Sequence, residues 1–170
     1  MSMVGNYMHL SQAELEHLIK NKNEVSEFIY PENTPKEYKN SELYIDKSWH
    51  LIHFLLTGSA WNGNETLRNL TIGGEKLCEP KFTPVGDSVR YLLPNQVLAT
   101  YELVKNITSD ELWSRFNAKA ATDAYIYPIG FWSESSEESI KEYILDYFEK
   151  LKQFFKTGAE ENQAMLIWLT

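Results

Sequence analysis

Between residues 135 and 158, apolar side chains return every three or four positions: Ile140, Ile144, Tyr147, Leu151 and Phe154. That spacing follows the turn of an α-helix and lines one of its faces with an apolar stripe. Ser135, Ser136 and the glutamates after them suit the positive end of the helix dipole, and Lys150, Lys152 and Lys156 suit the other end. Gly158 reads as the stop. In water such a helix is held by what it packs against more than by its own hydrogen bonds. The stripe therefore demands a core that the rest of the chain must supply.

The supply is ample. The 170 residues are 43% hydrophobic and 14% aromatic, with five Trp and ten Tyr. A chain of this length forms one domain and buries about 70% of the surface its unfolded form exposes, with no need of a disulfide or metal staple. Residues 4–9 read as a short strand. Ser11 and Glu14 form a capping box that opens a helix running to about Lys20. Residues 21–40 are polar, carry Pro31 and Pro35, and read as loop with one helical turn at Phe28-Ile29-Tyr30. Residues 59–84, rich in Gly, Asn and Pro, read as the longest irregular segment. A strand over 89–92 precedes a helix that Pro94 opens. Thr108 to Glu111 is a second capping box, 118–124 makes one more short helix, and 125–132 (YIYPIGFW) is extended or turn-like. Residues 165–169, apolar throughout, read as an internal closing strand. With scattered strands and no repeating strand–helix–strand unit, the fold class is α+β: a small mixed sheet covered by several helices, all within a single domain spanning 1–170.

The stretch LYIDKSWHLIHFLLTG, residues 43–58, poses the functional question. It looks built for burial, yet it carries Asp46, Lys47, His50 and His53. Asp46 or Ser48 can cap a helix reaching Thr57, with Gly58 as the left-handed residue after it. On that helix Trp49, Ile52, Leu55 and Leu56 share one side, Lys47, His50, Phe54 and Thr57 another, and His53 lies between. Three residues apart, His50 and His53 can converge on a metal if a third ligand arrives from elsewhere, but no His-Glu-x-x-His pattern or Cys pair accompanies them. The plainer reading is one hydrogen-bonded core histidine and one half-exposed. Asp46 and Lys47 read as a cap or a partly exposed ion pair before a tuned base.

Other residues carry weaker signals. Tyr91, Tyr127 and Trp132 can wall a pocket or plug the core with their polar tips bonded. Gly73-Gly74 fits a turn with positive φ and matches no phosphate-loop spacing. Cys78 has Lys76 and Lys81 nearby but no adjoining histidine, so it is not read as a nucleophile. It is the single cysteine, which excludes an internal disulfide and suits a reducing, cytoplasmic setting. The net charge of −8, with no basic run, argues against nucleic-acid binding. No apolar run approaches the ~20 residues of a membrane span, and the first residues lack a signal-peptide pattern.

Taken in order, IDKSWHLIHFLLTG, Gly73-Gly74, RYLLP followed by a helix, and IYP with a nearby Trp resemble the YfbM-like family of small bacterial proteins of unknown function. The resemblance spans nearly the whole chain and implies an α+β fold with a mixed sheet and flanking helices. It implies no activity, cofactor or catalytic residue. Two positions depart from the family pattern: His50, where an acidic residue can stand, and LPNQV, where Pro is more usually followed by acidic residues.

Two functional classes follow. One is a non-catalytic domain that binds another protein, immunity-like in its narrowest form, with no cofactor. The other is an enzyme or small-ligand binder with a polar pocket built on Asp46, Lys47, His50 and His53, walled by Tyr91, Tyr127 and Trp132, with a histidine as acid or base.

Overall fold

The computed structural model describes residues 2–32, 41–79 and 88–170. β5 (Ala164–Leu169) is AMLIWL, and with no polar side chain it takes the centre of a five-stranded sheet. β1 (Gly5–Leu10) flanks it on one side, from Gly5 opposite Leu169 to Leu10 opposite Ala164, and β2 (Glu42–Tyr44) pairs outside β1. On the other side lie β4 (Val89–Leu92) and then β3 (Glu75–Cys78), giving the order β2-β1-β5-β4-β3. Every pairing is antiparallel, where a mixed sheet was expected. Strand direction is set by the connections, not by a strand's own residues, so composition carried no sign of it.

Alternation along the strands serves two cores. On one face, Met8, Leu10, Leu166 and Trp168 meet Leu15 and Leu18 of α1 (Gln12–Lys20) and Val25 and Ile29 of α2 (Val25–Ile29). The capping box of α1 forms as expected: Ser11 Oγ accepts from Glu14 N–H, and Glu14 accepts from Ser11 N–H. On the opposite face, Tyr7, Leu92, Met165 and Ile167 pack under a thicker helical layer. That layer holds α3 (Trp49–Thr57), α4 (Glu65–Arg68), α5 (Pro94–Val104), α6 (Ser109–Trp113), α7 (Ala118–Asp123), α8 (Phe131–Glu134) and α9 (Glu137–Glu160).

α9 is the long striped helix, and it docks on α5, α3, α6 and β2. Its inward set is Ile140, Ile144, Phe148, Leu151 and Phe155, while Tyr147 and Phe154 sit half-buried at the margin. Gly158 does not stop it. The helix runs two residues further, and Gly158 is buried at a close approach, where a Cβ would meet His9 Nε2 at 3.0 Å and Val97 at 3.2 Å. At Thr108 only half of the expected capping box forms: its hydroxyl accepts from Glu111 N–H, and the Glu111 carboxylate instead pairs with Arg115 at 2.8 Å. The segment 59–84 is less irregular than its composition suggests, since α4 and β3 lie within it. Pro35, Lys81 and Pro84 lie outside the described residues.

Candidate functional site

α3 is apolar nearly all round, which marks a helix enclosed on all sides. Seven of its nine residues are buried, including both histidines. Neither expected cap forms: Ser48 donates to Ile45 O at 2.6 Å, and Asp46 sits at φ 47 with its carboxylate turned elsewhere. Gly58 does close the helix at φ 72.

His50 is fully buried, and both ring nitrogens are committed. The backbone N–H of Tyr127 donates to Nδ1 at 2.9 Å, so Nδ1 holds a lone pair and Nε2 holds the proton that it donates to Ala60 O at 2.8 Å. The ring is stacked on Trp49 at 4.6 Å and packed against Trp61 at 4.4 Å. Trp49 in turn donates from Nε1 to Met3 O, and the Tyr127 hydroxyl accepts from Met3 N–H. His50 therefore pins the 60 and 127 loops to α3, while Trp49 and Tyr127 hold Met3. Burial holds its pKa below the usual imidazole value.

His53 is equally buried, not half-exposed. The hydroxyl proton of Thr57 goes to a carbonyl, His53 O at 2.9 Å or Ser59 O at 3.1 Å, so its oxygen accepts from His53 Nε2–H at 3.3 Å. The Thr71 hydroxyl then donates to Nδ1 at 3.3 Å. Burial, with the neighbouring His50 and Arg68 adding to it, pushes this imidazole down to about 4. The two histidines share no partner. Among the described residues no group of three or more His, Cys, Asp or Glu side chains could hold a metal.

The remaining sequence candidates scatter. Asp46 accepts from the hydroxyls of Tyr143 at 2.9 Å and Tyr44 at 3.2 Å, and Tyr143 accepts from Lys47 N–H at 3.1 Å. Lys47 thus joins through its backbone, and among the described residues it makes no ion pair with Asp46. Burial and the adjacent Asp46 raise the Tyr143 phenol well above its ordinary value. Trp132 is a core plug whose Nε1 donates to Ile126 O at 3.0 Å. Tyr91 packs with the core on the opposite sheet face, its hydroxyl on Glu75 at 2.7 Å. Cys78 is buried, and burial raises its thiol away from the reactive thiolate.

A different constellation lies where α4 meets the β4–β5 pair. A cavity of about 260 Å³ is lined by Trp61, Arg68, Thr71, Ser88 and Arg90 together with Ile167 and its neighbours on β5. Arg90 stands opposite Ile167 in the ladder. The Gly73-Gly74 turn sets the distance between α4 and β4. Gly74 has φ +87, and a Cβ there would meet Tyr91 O at 2.6 Å. The chain has three arginines, and Arg115 is ion-paired. Among the described residues neither Arg68 nor Arg90 meets an acid, and Arg68 Nε is the one buried side-chain N or O atom without a hydrogen-bond partner. The sequence reading missed this site. Its signal was the scarcity of arginine in a lysine-rich chain, with Arg68 and Arg90 bracketing the glycine pair.

No helix among the described residues is long and apolar enough to cross a membrane. The family described as a domain of unknown function, DUF1877, matches residues 1–168. The crystal structure of YfbM from Escherichia coli, a protein of unknown function, superposes with a TM-score of 0.75 over 98% of this chain and 99% of that one, at 19% identity. At that identity the likeness is one of fold. No curated protein matches the chain.

Proposed function

We propose that this chain, which belongs to the DUF1877 family, acts as a non-catalytic domain that binds another protein through the segment between α7 and α9, which ends in the short helix α8. The observation that carries this reading is a cluster of exposed apolar side chains. Tyr125, Ile129 and Phe131 are 72%, 68% and 43% exposed within seven residues of chain. Single exposed apolar residues are ordinary, but aromatics grouped on one short segment are what interface centres are made of. The loop has little freedom to hide them, because Ile126 and Trp132 already anchor it in the core from its other side. Glu134, Glu137 and Glu138 follow directly and are exposed, so the complementary face has an apolar centre and a basic rim. An immunity-like role, in which an acidic protein in the cytoplasm neutralises a basic partner, is the narrow form of this reading. The alternative, acid–base chemistry around Asp46, Lys47, His50 and His53, finds less support. His50 has no free nitrogen, and Asp46 with Lys47, His50 and His53 serve three separate hydrogen-bond networks.

The test compares the native chain with a Tyr125→Ser, Ile129→Ser, Phe131→Ser triple variant in quantitative affinity capture from the cells that make it. A partner enriched on the native chain and lost from a variant of unchanged thermal midpoint is expected. The same proteins captured by both would overturn the reading, as would loop-dependent self-association in sedimentation velocity.

A further inference from the structure

We propose that the cavity between α4 and the β4–β5 pair binds a small organic monocarboxylate with a flat apolar body. Acidic residues outnumber basic ones 24 to 16, so an arginine on this surface readily finds an acid. The ion pairs among the described residues take up lysines and Arg115, yet the two remaining arginines both line one cavity and neither is paired among the described residues. Arg68 adds the second observation, a buried Nε–H with no acceptor. Buried donors are almost always satisfied, and no hydrogen bond among the described residues engages the Arg68 guanidinium, so a side chain that lines the cavity is held without the partners its fork is built for. A guanidinium offers donors in a planar fork that matches a carboxylate two bonds at a time.

The other walls define the rest of the ligand. Trp61 is 54% exposed, but one side of its indole is fixed by His50 at 4.4 Å, which leaves a rigid aromatic wall beside the arginines. Ile72, Ile167 and Leu169 supply apolar surface. A volume of about 260 Å³ falls just below the range of drug-sized sites, roughly 300–1,000 Å³, so the occupant is small. The charge of −8 acts against every anion in proportion to its own charge, which favours a monoanion over a phosphate monoester.

The experiment is a titration of the ¹⁵N-labelled full chain with benzoate, its neutral isostere benzamide, and phenyl phosphate, following the Trp61 indole N–H and the Arg68 Nε–H by NMR. Benzoate should give saturable shifts at both, and benzamide none. Arg90→Gln should weaken benzoate by about tenfold or more, the loss of a charge-assisted pair. Arg90→Lys, which keeps the charge and loses the fork, should fall between. Absence of saturation by about 10 mM, the weak end of specific binding, overturns the proposal. Equal binding of benzamide also overturns it, as does tighter binding of phenyl phosphate. So does benzoate affinity unchanged in Arg90→Gln.

Discussion

Two sets of polar side chains flank Trp61, and they differ in completeness. On one side His50 and His53 are sealed in, and every ring nitrogen has a partner. On the other, Arg68 and Arg90 border open space without an acid partner among the described residues, and Arg68 Nε is buried without an acceptor. The histidines are chemically the more versatile residues, yet here they are fasteners. The arginines offer only donors, yet they are the groups with unmet hydrogen-bonding capacity. Residue type alone would have ranked the two sets the other way round. What separates structure from site here is whether a buried polar group's partners are already present in the fold.

If the histidines are fasteners, breaking one should cost far more stability than any change on the arginine side. His50→Leu keeps the volume but strands two backbone groups, Tyr127 N–H and Ala60 C=O. Each costs about 1–3 kcal/mol when buried unmet, so a loss of about 3 kcal/mol is expected by chemical denaturation at pH 7. A loss below about 1 kcal/mol would mean that loops 60 and 127 do not depend on the ring.

Acid tests the same side without a mutation. His9 donates from Nε2 to Phe154 O at 3.1 Å, and burial holds it, like His53, down at about 4, with His50 also lowered. The unfolded chain titrates these groups near 6.5, so below that pH it binds more protons than the folded one. The stability owed to neutral imidazoles is complete above pH 6.5 and is lost as pH falls towards 4. Between pH 6.5 and about 5, above most carboxylate titration, His9 and His53 should each withdraw on the order of 1–2 kcal/mol. Calorimetry should show proton uptake on unfolding in that window. A flat stability profile there would contradict buried neutral rings.

The sequence disclosed the fasteners better than the site, and for a physical reason. Imidazoles on an otherwise apolar helix stand out against their neighbours. Their partners, Ala60 O and Tyr127 N–H, belong to backbone, which every residue carries, so no residue type announced them. The stripe on α9 was legible to within one position. Tyr147-Phe148 and Phe154-Phe155 are adjacent aromatic pairs, and a period of 3.6 does not choose between neighbours. The choice falls to what each meets: the Tyr147 ring edges against Tyr143, and Phe154 stacks on His9 at 3.7 Å, leaving Phe148 and Phe155 for the core. The edge strands β2 and β3 are three and four residues long, β2 largely exposed and β3 buried only at Leu77 and Cys78, and they carry no alternation of their own that would announce a strand. Gly158 looked like a stop because a glycine at a helix end usually is one. The constraint on it comes from His9 and Val97, far away in sequence.

The arginine side of the comparison predicts a change of opposite sign. A residue kept for a ligand and left unmet without one lowers the stability of the empty protein. Arg68→Met retains the length and apolar contacts of the side chain while removing the orphaned Nε–H. The unligated variant should be more stable than the native chain by about 1 kcal/mol, the smallest of the three effects, because Arg68 is only half-buried and water reaches part of its charge. Its thermal midpoint should also lose any rise that benzoate gives the native chain, since a ligand stabilises only the state that binds it. Both observations are needed, because a gain in stability alone describes a poorly packed arginine. A gain coupled to the loss of the benzoate response describes a residue held at a cost for the sake of an anion. A fall in stability would place Arg68 with the histidines, as one more fastener of the fold.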